Sequence, residues 1–263
     1  MLMEKRQEVL ITNENGCLYL HLVDRKGGGH NGSHWTQGAM RIARPFALEL
    51  EYTREMMLAL LLRAGARWPR HVLQIGLGAA SLTKFLYRHR PRATLTVVEI
   101  EWGVVSAARQ FFKLPDDPKR MVLEIGDGHD FMARSGRQFD LILVDGFDAK
   151  GRAGMLEMVP FYCNARARLA EDGILVANML TRSRGVTTGL ARLATAFDGR
   201  ARSLPPCSSG NTIVVAATGE AIALPLADLR ARARELKRET GLNLLPLVGR
   251  LADAHGDDGQ FTL

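Results

Sequence analysis

Two hydrophobic rhythms alternate along most of this chain. Short β-type runs lie at His71–Ile75, Thr94–Ile100, Met121–Ile125, Leu141–Asp145, Ile174–Asn178 and Thr212–Ala216. Between the first five, apolar residues recur at helical spacing over Ser81–His89, Gly103–Phe112, Asp130–Ser135 and Met155–Ala170. A further helix over Gly185–Phe197 and a Pro205-Pro206 break precede the last run. Strands alternating with helices predict βαβ units, hence an α/β fold with a doubly wound, mostly parallel sheet covered on both faces.

The flanks follow other rules. VLIT and CLYLHLV surround Asn13-Glu-Asn-Gly16, and Asn-Gly between apolar runs is a hairpin signal. This predicts a small N-terminal β-annex over residues 1–45, with a Rossmann-type domain and C-terminal helices over 46–263. Arg25–Gly38 carries five glycines and reads as a loop. Its His30 and His34 are four apart, but the glycines disfavour the helix that would make them metal ligands. After Pro45, Leu50, Met57, Leu58, Leu61 and Leu62 predict a helix, and a basic helix over Leu226–Glu239 precedes a second one ending near Leu251.

Composition narrows the class. In 263 residues, 46% are hydrophobic, so a full core is available and a disordered or collagenous chain is excluded. Cys17, Cys163 and Cys207 share no metal-type spacing and form no disulfide framework, which points to a reducing, cytoplasmic setting and no metal. The charged start MLMEKRQEVL is no signal peptide, and the longest apolar run, Met56–Leu62, is too short for a membrane span. Lys+Arg at 35 against Asp+Glu at 28 gives +7, which raises nucleic acid as a partner. The arginine-rich stretches, Arg182 to Arg202 and Arg230 to Arg238, lack interleaved Tyr or Trp, however, and read as a solvated or subunit-contacting face.

In an open parallel sheet, chemistry sits beyond the carboxyl ends of the strands. The first strand ends in Ile75-Gly76-Leu77-Gly78-Ala79, where Gly76 and Gly78 let backbone amides approach a ligand or simply serve packing. Glu99, 23 residues beyond Gly76, can accept both hydroxyls of an adenosine ribose or merely cap the next helix. Asp127 and Gly128 after the third strand fit an adenine edge, though Asp127 is equally an N-cap candidate. Asp145 and Asp148 after the fourth strand form a receptor for an ammonium, and can raise each other's pKa as a general base requires. As a loop-capping pair they would need no function. An NAD-dependent dehydrogenase shares the Gly76–Glu99 logic but explains neither Asp127-Gly128 nor the Asp145/Asp148 pair.

These features, in this order, resemble the class I S-adenosylmethionine-type Rossmann fold, and more narrowly the spermidine synthase (polyamine aminopropyltransferase) family. That family's motif runs Asp-x-x-Asp-Pro-x-Gly-Pro-Ala, then Leu, then Phe-Tyr. Asp145, Asp148, Gly151, Ala153, Leu156, Phe161 and Tyr162 match it without a gap. The resemblance implies a transferase of polyamine biosynthesis that moves an aminopropyl group from decarboxylated S-adenosylmethionine to a small amine such as putrescine. By position, Asp145 would be the general base, Asp148 would hold the amine, Glu99 the ribose, and Asp127 with Gly128 the adenine. Tyr52 and Gln37 are the candidates for the family's substrate-contacting tyrosine and glutamine. A homodimer or larger homo-oligomer is implied as well. Departures from the pattern are Ala79, where the family glycine loop has Asp, and Ala149 and Arg152, where the lid has prolines. Ala79 keeps open an S-adenosylmethionine-dependent methyltransferase, or a non-catalytic polyamine- or nucleoside-binding relative. The acidic residues Asp127, Asp130, Asp140, Asp145 and Asp148 are expected to line the cleft inside a basic shell.

Overall fold

A computed structural model of the chain describes residues 8–23, 35–63, 65, 67–180, 185–255 and 259–263. His30, His34, Arg182 and Arg184 fall outside them. The N-terminal sheet is antiparallel, with β1 (Glu8–Glu14) and β2 (Cys17–Val23) joined through Asn15-Gly16 and β3 (Trp35–Arg41) completing the order β1-β2-β3. Helices α1 (Glu51–Met56) and α2 (Ala59–Leu62) divide the predicted helix after Pro45 into two pieces.

The alternating part follows as β4 (His71–Ile75), α3 (Ser81–His89), β5 (Thr94–Glu99), α4 (Trp102–Gln110), β6 (Met121–Ile125), α5 (Gly128–Arg134) and β7 (Phe139–Val144). After a 3-10 turn at Gly154–Glu157 come α6 (Val159–Arg168), β8 (Leu169–Leu180), α7 (Gly185–Ala196), β9 (Ala201–Ser203) and β10 (Asn211–Ala217). The chain closes with β11 (Ala223–Pro225), α8 (Leu226–Thr240), α9 (Leu245–His255) and β12 (Gln260–Thr262), of which β11 and β12 pair. The main sheet has the order β6-β5-β4-β7-β8-β10-β9, parallel from β6 to β8. β10 is antiparallel to both neighbours, because the chain turns back after β9 and inserts the next strand beside β8.

The continuous apolar runs are explained by burial on both faces. Leu141, Leu143, Ile174, Val176, Ile213 and Val215 enter a core under α1, α2, α8 and α9. The residues between them, Ile142, Val144, Leu175, Ala177, Val214 and Ala216, enter a second core under α5, α6 and α7. A third core joins Leu20, Leu22 and Met40 of the N-terminal sheet to Leu77 and Ala79 of the glycine turn and to Val104 and Phe112 beside α4.

The segment read as a glycine loop ends differently, since Trp35–Gly38 belongs to β3. Gly38 is there for close packing rather than flexibility, because a Cβ built on it would lie 2.6 Å from the Ala79 Cβ. The basic shell also changes character. Arg63, Arg200 and Arg232 donate to the backbone carbonyls of Thr218, Gly219 and Leu61, and Arg202 donates to Thr262 while lying over the Phe261 ring. These arginines tie strand ends and helices together. No helix among the described residues is long and apolar enough to cross a membrane, and the three cysteines are free thiols.

Candidate active site

Strand order reverses between β5-β4 and β4-β7, and at that switch point the carboxyl ends diverge into a crevice. A cleft of about 770 Å³ opens there, and all eight residues assigned to the site from sequence line it: Tyr52, Gly76, Gly78, Glu99, Asp127, Gly128, Asp145 and Asp148. Gln37 lines it too.

The glycine turn is built by steric necessity. Gly76 has φ +88°, and a Cβ on it would run into the backbone carbonyl of Asp145. Gly78 has φ +51° and approaches the carbonyl of Gln37 in β3 in the same way. Thus the turn after β4 is pinned between the end of β7 and the N-terminal sheet. Glu99 holds it from a third side, with Oε2 accepting from Leu77 N at 2.8 Å and Oε1 from Glu101 N at 2.9 Å. Burial raises the Glu99 carboxyl, and these amide donors only partly oppose it.

Asp127 does what its capping alternative required: it is the N-cap of α5 and accepts from His129 N at 2.7 Å. Its place on the cleft wall is kept beside that task. Gly128 is required by contact, because a Cβ there would strike the Ile75 side chain.

Asp145 sits at the centre of a polar chain. Asn178 Nδ2, at the far end of β8, donates to Asp145 Oδ1 at 2.9 Å. Asn211 Nδ2 donates to Asn178 Oδ1 at 2.9 Å, and Ser209 Oγ donates to Asn211 Oδ1 at 2.8 Å. Each acceptor fixes the orientation of the amide before it, so the Asn178 amino group points at the carboxylate. The hydroxyl of buried Tyr52 also faces Asp145 and favours its ionised form. Burial pushes the Asp145 carboxyl up to about 6, with the Asn178 and Tyr52 hydrogen bonds opposing the rise.

Asp148 is different. Its Oδ1 accepts from Lys150 N at 2.8 Å and Arg152 N at 2.9 Å, and its Oδ2 from Arg152 Nε at 2.8 Å and Nη2 at 2.6 Å. Partial burial alone would raise this carboxyl; Arg152 and the two amides outweigh it and hold the group below the ordinary carboxylate range. The expected mutual upward shift of the pair is therefore corrected, since burial lifts Asp145 and Arg152 lowers Asp148.

The expected acidic ring is also smaller. Asp140 lies at the opposite end of β7, where its carboxylate accepts from Arg70 N and His71 N at 2.7 and 2.8 Å. Asp130 is exposed and pairs with His129. Ala79, which stands where the resembled glycine loop has Asp, is 1% exposed and packed against Gly38 in the core under the N-terminal sheet. Phe161 and Tyr162 of the matched motif are core residues. The sequence reading did not single out Asn178, Asn211 or Ser209. The only signal for them was polarity at the ends of two apolar runs.

Glu51, Glu55 and Cys207 come together beside the cleft as a set of possible metal ligands. Arg250 bridges the two carboxylates, at 2.8 Å to Glu51, and the Cys207 thiol donates to Glu55 at 3.1 Å. The set is an ion-pair tie between α1 and α9.

Fold and cleft together define a Rossmann-type α/β protein with its cleft at the switch point of the sheet. Residues 51–183 match the Spermine/spermidine synthase domain. The polyamine aminopropyltransferase of Neisseria meningitidis is 31% identical over 253 residues, covering 96% of this chain and 92% of the relative. That of Chromobacterium violaceum is 33% identical over 248 residues, covering 94% and 90%. A probable spermidine synthase from Corynebacterium glutamicum superposes with a TM-score of 0.71 over 88% of this chain and 84% of its own, at 20% identity, and shares the fold. The chain belongs to the spermine/spermidine synthase family and is a transferase of the aminopropyltransferase class.

Proposed function

We propose that the protein transfers an aminopropyl group from decarboxylated S-adenosylmethionine to a small primary amine, with Asp145 as the general base. The observation that carries this reading is a half-buried carboxylate, raised to about 6, in the wall of the switch-point cleft. An ammonium is no nucleophile, so the acceptor must lose a proton before it attacks. Asp145 accepts that proton. The amine nitrogen then bonds to the methylene beside the sulfonium, the carbon–sulfur bond breaks, and its electron pair leaves on sulfur as 5′-methylthioadenosine.

The sulfonium is already a good leaving group, so orientation and a base are the main demands. Glu99 keeps lone pairs for ribose hydroxyls beyond those used by Leu77 and Glu101. Asp127 and Gly128 would meet the adenine edge, Gly76 and Gly78 would let the backbone approach the donor, and Asp148 would face the acceptor. Tyr52 acts in this reading by orienting Asp145 and closing the acceptor side of the cleft.

Incubation with decarboxylated or intact S-adenosylmethionine and a panel of amines, followed by identification of the nucleoside, tests the reaction. Methylthioadenosine formed from the decarboxylated donor is expected; S-adenosylhomocysteine as the product would replace this reading with methyl transfer. A second expectation concerns Asn178→Ala. Removing a hydrogen bond to the ionised form of Asp145 should move the acidic limb of kcat/KM upward by roughly one to two pH units. An unmoved limb would show that Asp145 is not the group titrating.

A further inference from the structure

Arg152 is the single Lys, Arg or His among the described residues that line the cleft. It lies in the loop after β7, its side chain is exposed, and its guanidinium is forked onto Asp148. Asp148 in turn has four hydrogen bonds, about as many as an ionised carboxylate can accept. The Arg152–Asp148 pair is thus neutral as a unit, although the cleft wall also carries Asp145 and Glu51.

This pairing has different consequences for two kinds of acceptor. The second ammonium of a simple diamine finds no lone pair on Asp148 unless Arg152 is displaced, and its charge is repelled by the guanidinium beside it. A far end that carries an ammonium and a carboxylate together can exchange partners. Its ammonium takes a place on Asp148 and its carboxylate takes the Arg152 fork, so every charge remains paired throughout. Guanidinium and carboxylate match in planar geometry, which an ammonium cannot reproduce.

We infer that Arg152 and Asp148 form a zwitterion receptor that selects as acceptor a diamino acid, an amine whose far end bears both an ammonium and a carboxylate, over a bare diamine. The inference rests on the proposed reaction for its setting, but it concerns binding and can be read without turnover.

The test is calorimetric titration of the enzyme saturated with methylthioadenosine, using 2,5-diaminopentanoate and 1,4-diaminobutane, which differ by one carboxylate. The diamino acid is expected to bind at least tenfold more tightly. Arg152→Gln should remove most of that preference, while Arg152→Lys, which keeps the charge and loses the fork, should retain part of it. Equal or tighter binding of the diamine, a preference that survives Arg152→Gln, or no binding of either amine would overturn the inference. Discriminating binding without aminopropyl transfer from the decarboxylated donor would refute the proposed reaction alone. Transfer to the diamine without discrimination would refute the receptor alone.

Discussion

Asp145→Asn is expected to lower turnover by about three orders of magnitude while nucleoside binding is retained. An amide has nearly the shape of the carboxylate and can still engage Asn178 or Tyr52, so the cleft should keep its form. It cannot accept the proton that the acceptor must release. If Asp145 is the base proposed above, its active form is ionised, and kcat/KM of the parent enzyme should fall as pH drops through about 6. This limb should vanish from the residual activity of the variant. Initial rates of methylthioadenosine formation across pH, with calorimetry of nucleoside binding, measure both effects. Near-normal turnover in the variant would remove Asp145 from the mechanism.

Gly76→Ala is expected to cost about 3 kcal/mol through a positive-φ backbone and a direct collision. The collision is with the carbonyl of Asp145, so the variant pushes the base and the donor turn apart as it destabilises the sheet. For a chain of this size, a fall in Tm of roughly 6–12 °C corresponds to that loss. Gly136→Ala is the matched control, since a Cβ there meets nothing within 4 Å, and its change should stay within about 0.5 kcal/mol. Equal melting temperatures for the two variants would show that the turn after β4 yields without resistance.

The parts legible in the sequence were those fixed by local patterning. His71–Ile75, Met121–Ile125 and Ser81–His89 form their elements residue for residue: Val72 to Ile75 are buried, as a central strand covered on both faces requires, α3 behind them is amphipathic, and β6 keeps its apolar run at the sheet edge, where Val122 and Ile125 stay exposed. The parts that were not legible depend on what lies across space. Gly38 was read for its freedom when its lack of a side chain against Ala79 is what β3 needs. Asn178 and Asn211 meet because β8 and β10 run antiparallel, a register no spacing in the sequence announces. Asp140 and Asp145 are close in the chain, yet five strand residues place them roughly 16 Å apart, at opposite ends of β7. Asp148 was found as an acid, but its charge depends on an arginine whose geometry only the folded loop supplies.

The contact between Gly38 and Ala79 restricts how this enzyme can change. A carboxylate at position 79 would be born into a buried seam between the glycine turn and the N-terminal sheet, where burial penalises its charge. Reaching that state by descent therefore requires a prior shift of the N-terminal strand, and a side chain at position 38 is excluded while the seam stays closed. The two positions are epistatic: side-chain size in the glycine turn and the placement of the N-terminal sheet can drift only together.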